Sequence, residues 1–331
     1  LMFGLMMVGT VLSSCLSNTG TAACLLPVAL GICAAAKIPA SRQLMPLAFA
    51  CGWGGIITMV GTPPNIIAVG AMTSAGLEPF GFFEFAWIGI PVSIAGMLYM
   101  MFVGKYLLPK VDLSADQEIE QEIEATVTDS KKQIVSGLIL AVCIIVMALD
   151  LKAISLEMTA IVGALVCVLT GCLTEKQAYS AIDWVTIFLF AGMMPVSAAM
   201  DKTGAGKLIA EWAVSLMGGS PTPIIMTSVL FIISCTLTQF MSNTAAAALL
   251  APVGVAISQQ LGASPKAVLM AIGVAASCAF ATPVGTPPCT LVLGPGGYKF
   301  MDYVKVGVPL VILCFIVSII VIPMVWPFFP G

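Results

Sequence analysis

The fold of this chain is decided by two matching stretches, SSCLSNTGTAACLLPVA at residues 13–29 and TQFMSNTAAAALLAPVG at residues 238–254. Both place the tripeptide Ser-Asn-Thr in apolar sequence, with a hydroxyl residue one helical turn before it. The two copies lie 225 positions apart (242 − 17). A single Ser-Asn-Thr is an ordinary helix N-cap or turn. The informative feature is therefore that the tripeptide recurs with similar neighbouring residues.

A second and a third motif follow each tripeptide at nearly equal distances. GTPP at residues 61–64 recurs at 285–288, and Gly-x-Pro at 89–91 recurs at 307–309. The register holds over about seventy residues, which is too long for a solenoid unit. In a membrane protein, such a duplication is typical of transporters whose broken helices meet at a midplane site.

Composition indicates a membrane protein. Hydrophobic residues make up 60% of the chain and charged residues 9%, with a mean hydropathy of +1.08; ordinary globular proteins have roughly 45–50% and 25%. We predict an all-α, multi-pass integral membrane protein in the cytoplasmic (inner) membrane of a bacterium. Apolar segments are expected at about 1–16, 20–36, 43–60, 64–75, 85–108, 133–150, 153–173, 183–200, 222–241, 245–259, 267–281, 289–294 and 304–326.

These segments predict four parts of the chain. They are a first-repeat hairpin, broken helix and span (1–109), a cytoplasmic polar linker (110–132), scaffold-type spans of the second repeat (133–217), and the second hairpin, broken helix and final span (218–331). Seven of the sixteen acidic residues lie in the linker, so the net charge of −3 does not indicate a nucleic-acid partner. Because no scaffold-type spans precede the first hairpin, we expect an N-terminally truncated fragment.

The two tripeptides predict re-entrant hairpins, because the limbs beside them are too short to cross about 30 Å of hydrocarbon. We count spans alternately from a first hairpin that enters from the cytoplasm. Nine basic residues then lie inside and four outside, as the positive-inside bias requires, and the second hairpin enters from the opposite face. The inside set is Lys37, Arg42, Lys105, Lys110, Lys131, Lys132, Lys176, Lys299 and Lys305; the outside set is Lys152, Lys202, Lys207 and Lys266.

The tips and breaks predict complementary chemistry. Each tip presents hydroxyls, an amide and free N–H groups at a helix N-terminus, where the helix dipole favours an anion. Each GTPP break removes backbone donors and frees carbonyls that suit a hard cation such as Na⁺. The hydroxyls of Ser13 and Thr238, one turn before each tip, would complete a cation shell.

The paired tips, GTPPNIIAVG at residues 61–70 and GPGGYKFMDYVKVGVPL at 294–310 resemble the divalent anion:sodium symporter family over nearly the whole chain. The resemblance implies an inverted-repeat fold of the ion transporter superfamily, with two re-entrant hairpins and two discontinuous helices. It also implies a homodimer with a fixed scaffold and a mobile, elevator-type transport domain. The substrate would be a di- or tricarboxylate dianion, coupled to Na⁺.

The resemblance further implies site residues. Substrate carboxylates would be bound by Asn18, Thr19, Asn243 and Thr244, with Thr62 and Thr286 of the breaks. One Na⁺ site would comprise Ser13, Ser17, Asn18 and Gly61, and the other Thr238, Ser242, Asn243 and Gly285. One departure stands out, since Cys289 occupies the position of Asn65 and the second break lacks that amide.

Three alternatives stay open to different degrees. An anion exchanger or a sulfate carrier on the same fold is the nearest. A non-transporting membrane receptor is less favoured. An enzyme is not expected, because the chain has no histidine, no paired carboxylates in apolar runs and eleven cysteines without a Cys-x-x-Cys pair. No cofactor is predicted beyond Na⁺ as coupling ion.

Overall fold

The computed structural model describes residues 1–109, 130–149, 156–182 and 222–329, with isolated positions between 184 and 215. All regular structure in these residues is helical, as predicted. Most of the predicted linker, 110–129, lies outside the described residues, and the predicted span 183–200 is described only at isolated positions. Residues 1–114 and 189–331 form one compact unit, and residues 115–188 form a second.

The first repeat contains five helices. They are α1 (Met2–Ser13), α2 (Asn18–Ala36), α3 (Leu44–Gly54), α4 (Pro63–Ser74) and α5 (Ala86–Tyr99). A 3₁₀ turn, Ala40–Arg42, precedes α3, and a π-helical turn, Met100–Gly104, carries α5 on into Lys105–Leu107. Helices α1 and α2 pack against each other and are called the first hairpin; α3 and α4, separated by the non-helical residues 55–62, are called the first broken helix.

The second unit contains three described helices, α6 (Ser130–Ala148), α7 (Leu156–Leu169) and α8 (Glu175–Ala181). Helices α6 and α7 pack against each other. At this contact, a Cβ on Gly163 would lie 2.4 Å from the Cys143 Sγ, so glycine permits the close approach.

The second repeat reproduces the five helices of the first. They are α9 (Pro223–Thr238), α10 (Asn243–Gln260), α11 (Pro265–Ser277), α12 (Pro287–Leu293) and α13 (Phe300–Val325). Hairpin α9–α10 corresponds to α1–α2, and broken helix α11–α12 corresponds to α3–α4.

Each tripeptide begins a helix at once. The hydroxyl of Ser17 caps α2 by accepting from Gly20 N at 3.1 Å, and Ser242 caps α10 by accepting from Ala245 N at 3.2 Å. Because α2 starts at the asparagine, it has 19 residues and is long and apolar enough to span a membrane. The expectation that this limb is too short is therefore wrong.

The two repeats interlock within the first unit. Helix α2 packs on α12 and, reciprocally, α10 packs on α4; α3 packs on α12 and α11 on α4. Every residue of α3 is buried, as is every residue of α11 except Lys266. The rings of Phe49 and Phe280 meet across the repeats, with centroids 5.2 Å apart. The broken helices thus form the core, and the hairpins pack around them.

Three basic residues lie at one end of the span that begins with α5, and one lies at the other end. Lys37, Arg42 and Lys105 line one cavity at its C-terminal end. At its N-terminal end, Lys266 Nζ lies 3.7 Å from Glu84 Oε1. This span covers 22 residues (Ala86–Leu107), or about 33 Å at 1.5 Å per residue. The cations predicted to face opposite sides of the membrane are therefore separated by about one hydrocarbon thickness.

Candidate functional site

A cluster of neutral polar atoms forms where the first tip meets the first broken helix. One terminal atom of the Asn18 amide lies 2.8 Å from Ser13 Oγ, 2.9 Å from Cys51 O and 3.2 Å from Gly61 O. Ser13 Oγ is also 2.7 Å from Cys51 O. Ser13 is wholly buried, and Asn18 is 8% exposed. The structure therefore joins three of the four predicted first Na⁺ ligands, Ser13, Asn18 and Gly61, and adds the Cys51 carbonyl.

The second tip repeats this cluster. One terminal atom of the Asn243 amide lies 2.8 Å from Thr238 Oγ1, 3.2 Å from Ala276 O and 3.1 Å from Gly285 O. Thr238 Oγ1 lies 2.7 Å from Ala276 O. Thr238, Asn243 and Gly285 of the second predicted Na⁺ set thus come together, with Ala276 contributing the carbonyl that Cys51 contributes in the first cluster.

The orientation of each asparagine amide decides what the cluster can bind. An amide can turn either its nitrogen or its oxygen inward, since the two ends are nearly isosteric. With Nδ2 inward, the two N–H groups of Asn18 have three acceptors within reach, the Ser13 hydroxyl and both carbonyls. With Oδ1 inward, four oxygen atoms share the single proton of Ser13. A hard cation stabilises that second arrangement, because neutral and carbonyl oxygens are its preferred ligands.

The other two predicted Na⁺ ligands have a different position. Ser17 and Ser242 are exposed, and their hydroxyls accept the capping hydrogen bonds from Gly20 N and Ala245 N. A hydroxyl oxygen has two lone pairs, so each retains one acceptor position. In the structure, these two serines cap α2 and α10 and so fix the positions of Asn18 and Asn243.

The threonines predicted to bind substrate differ between the repeats. Thr19 is exposed, whereas Thr244 is 8% exposed. Thr62 and Thr286 precede proline and are extended, at φ −145°, ψ 142° and φ −144°, ψ 138°, as the residue before proline prefers. Neither caps its helix through its side chain. Thr62 is wholly buried, and its Oγ1 has no hydrogen-bond partner among the described residues.

Glycine permits the close packing around the first tip. A Cβ on Gly55 would lie 2.2 Å from Asn18 Oδ1, and a Cβ on Gly61 would lie 2.5 Å from Gly55 O. A larger residue at Gly55 would therefore push the break away from the tip, and one at Gly61 would force the two ends of the break apart. In the second repeat, a Cβ on Gly285 would lie 2.8 Å from Thr238 O.

Sequence reasoning missed several groups at the site. The carbonyls of Cys51 and Ala276 have no sequence signature, because every residue carries one. Gln239 was also missed, although it follows Thr238 directly. Its Nε2 donates to Cys278 O at 3.0 Å, at the end of α11. Gln239 thus supplies an amide to the second break, where Cys289 replaces Asn65. A residue-by-residue comparison of the repeats shows glutamine opposite Ser14 and could have found it.

Comparisons with known proteins agree with this architecture. The crystal structure of the YdaH transporter from Alcanivorax borkumensis superposes with a TM-score of 0.65 at 18% identity, over 100% of this chain and 80% of that one. An uncharacterized transporter of Haemophilus influenzae is 33% identical over 95% of this chain and 70% of its own length. The Escherichia coli transporter YfbS, also uncharacterized, is 42% identical over 51% of this chain, which spans only 28% of YfbS.

A more distant relative has a named activity. The sodium-dependent dicarboxylate transporter SdcS of Staphylococcus saprophyticus is 25% identical over 97% of this chain and 68% of its own length. The citrate transporter family CitMHS matches residues 1–154 and 142–329, which together span nearly the whole chain. With its apolar helices, its duplicated hairpins and broken helices, and these matches, the chain belongs to the CitMHS citrate transporter family, a family of membrane transporters and not of enzymes.

Proposed function

We propose that this protein carries di- or tricarboxylates, such as succinate, malate, fumarate or citrate, into the cell together with Na⁺. The observation that carries the proposal is the pair of matching oxygen clusters, at Asn18 and at Asn243. Neither cluster contains a charged side chain. A bare dianion beside them would be costly in the membrane interior. Cations bound in the clusters offset that charge, and this couples the two solutes.

The tip residues are the proposed substrate ligands. Asn18 and Thr19 begin α2, and Asn243 and Thr244 begin α10. Helix N-termini favour anions through free N–H groups and the dipole. Thr62 and Thr286 begin the second halves of the broken helices and add two more hydroxyls. The unpaired Thr62 Oγ1 supports this assignment, because a buried hydroxyl without a partner retains its full hydrogen-bonding capacity.

The proposed transport cycle follows from the repeats. Reciprocal packing of each tip helix on the other repeat's broken helix supports an inverted duplication. Cations at opposite ends of the α5 span support it as well. Inverted repeats allow one half to take over the role of the other when the site changes sides. We propose an elevator movement of the hairpins and broken helices against a scaffold, in a homodimer in the bacterial inner membrane.

Uptake into proteoliposomes tests the proposal. The full-length protein would be given labelled succinate, citrate or sulfate, with Na⁺ outside or with K⁺ in its place. We expect carboxylate uptake that requires Na⁺. Uptake that instead requires an anion inside would indicate an exchanger, and uptake of sulfate alone would indicate a sulfate carrier on the same fold. Binding without any movement would indicate a receptor and contradict transport.

A further inference from the structure

In both broken helices, backbone carbonyls at the end of the first half lie outside the helical hydrogen-bond pattern. In each repeat, one buried amide side chain donates hydrogen bonds to them. In the first repeat the amide is Asn65, which is wholly buried; its Nδ2 lies 2.8 Å from Thr58 O and 3.3 Å from Gly55 O. In the second repeat it is Gln239, 8% exposed, whose Nε2 donates to Cys278 O at 3.0 Å and also to Cys235 O of its own helix at 2.8 Å. Neither repeat has both amides, because Cys289 stands at the position equivalent to Asn65 and Ser14 at the position equivalent to Gln239.

The two amides belong to different elements. Asn65 lies in α4, so its hydrogen bonds stay within the first broken helix. Gln239 lies in the tip of the second hairpin, between Thr238 and Asn243, so its hydrogen bond to Cys278 joins the hairpin to the second broken helix. Two further bonds reinforce that joint. Ala281 N donates to Gln239 Oε1 at 2.9 Å, and Thr282 Oγ1 donates to Gln239 O at 2.6 Å.

The first tip keeps one of these three hydrogen bonds. Thr58 Oγ1 donates to the main-chain oxygen of Ser14, as Thr282 does to Gln239. The Ser14 hydroxyl turns back to its own helix and donates to Val11 O at 2.7 Å. The cluster of Ser13 and Asn18 also holds the first tip, and one turn earlier Trp53 Nε1 donates to Thr10 Oγ1 at 2.9 Å.

We propose that Gln239 is a positioning residue that fastens the second tip to its broken helix before a cation arrives, whereas the first tip is drawn into place by its cation. The inference rests on the proposed cation sites. Ligands held in position beforehand bind with a smaller loss of conformational freedom. The cluster at Asn243 should therefore bind its cation more tightly than the cluster at Asn18, and the first tip should respond more strongly to Na⁺.

Hydrogen exchange of the full-length protein in K⁺ buffer tests the joint without any transport measurement. We expect backbone amides of residues 240–246 to exchange more slowly than those of residues 15–21. Gln239→Ser, which copies Ser14, should speed exchange of the second tip about tenfold, the effect of one or two lost hydrogen bonds. Gln260→Ser, at an exposed glutamine of α10, is the matched control and should change nothing.

Two double substitutions test whether Gln239 positions the tip or only donates a hydrogen bond to the carbonyls of the break. Gln239→Ser with Cys289→Asn gives the second repeat the arrangement of the first. The carbonyls of the second break then have an amide donor, but the side-chain hydrogen bonds from the tip to the break are lost. We expect normal thermal stability, fast tip exchange and about a tenfold rise in half-saturating Na⁺. The reciprocal pair, Ser14→Gln with Asn65→Cys, should slow exchange of the first tip.

The outcomes distinguish this inference from the proposed function. If the Gln239→Ser, Cys289→Asn protein recovers wild-type tip exchange and Na⁺ dependence, Gln239 only satisfies carbonyls and the positioning role is wrong. If wild-type uptake is indifferent to Na⁺, the proposed coupling fails, and hydrogen exchange still decides whether Gln239 holds the tip. Equal exchange of the two tips in the wild type would also overturn the inference.

Discussion

At the scale of single residues, the two tip asparagines are the groups on which both proposed sites depend. Asn18→Ala or Asn243→Ala removes an amide from a buried cluster and leaves its partners unpaired. We expect a loss of roughly 1 to 3 kcal/mol in substrate binding, or about ten- to a hundredfold in affinity. Titration of the purified full-length protein with succinate measures it, with Gln260→Ala as control. Unchanged affinity in both folded variants would remove the tips from the substrate site.

The hydroxyls one turn before each tip should act on the cation first. Ser13→Ala or Thr238→Val deletes one oxygen from a cluster and one hydrogen bond to its asparagine, but leaves the tip residues themselves unchanged. Half-saturating Na⁺ for uptake should rise more than the succinate Kd measured at saturating Na⁺. By reciprocity, the anion tightens Na⁺ binding by the factor with which Na⁺ tightens the anion. Equal succinate affinity in Na⁺ and in K⁺ would rule out this coupling. A cation that does not change the affinity for the anion cannot drive accumulation of the anion.

At the scale of elements, the broken helices are held by α5 and α13 through a glycine in each. A Cβ on Gly307 would lie 2.0 Å from Phe280 O, and one on Gly89 would lie 2.7 Å from Ile57 Cα. Backbone atoms cannot rotate away as side chains do. Gly307→Ala or Gly89→Ala should therefore destabilise the protein by roughly 1 to 3 kcal/mol, measured by thermal unfolding in detergent.

A matched glycine gives the control for this prediction. A Cβ on Gly31, inside α2, would meet no atom within 4 Å, so Gly31→Ala should be neutral or slightly stabilising through helix propensity. If all three variants unfold at the same temperature as the wild type, α5 and α13 do not constrain the breaks as described.

At the scale of the whole molecule, the two ends of the α5 span should face opposite sides of the membrane. A membrane-impermeant thiol reagent should label a cysteine at Lys37 from the cytoplasm and one at Lys266 from outside. The background should lack the exposed Cys24. Labelling of both positions from the same side would contradict inverted repeats.

Much of this molecule was predictable from local sequence. Membrane character follows from composition, and the tips follow from Ser-Asn-Thr, because an N-cap acts within one helical turn. The breaks follow from GTPP, because proline constrains both its own backbone and that of the residue before it. The approach of Ser13 to Asn18 spans five residues, so spacing alone suggested it.

Packing decided the rest. Cys51 and Ala276 supply backbone carbonyls to the clusters from 38 residues away, and only the path of a folded helix determines which carbonyl arrives there. Tertiary structure also determines that Gln239 takes over in the second repeat the role that Asn65 has in the first. In sequence, Cys289 indicated a missing amide; in the structure, the free carbonyls of the second break are reached from the neighbouring hairpin. Buried carbonyls require a partner, but nothing in their own sequence specifies which element provides it.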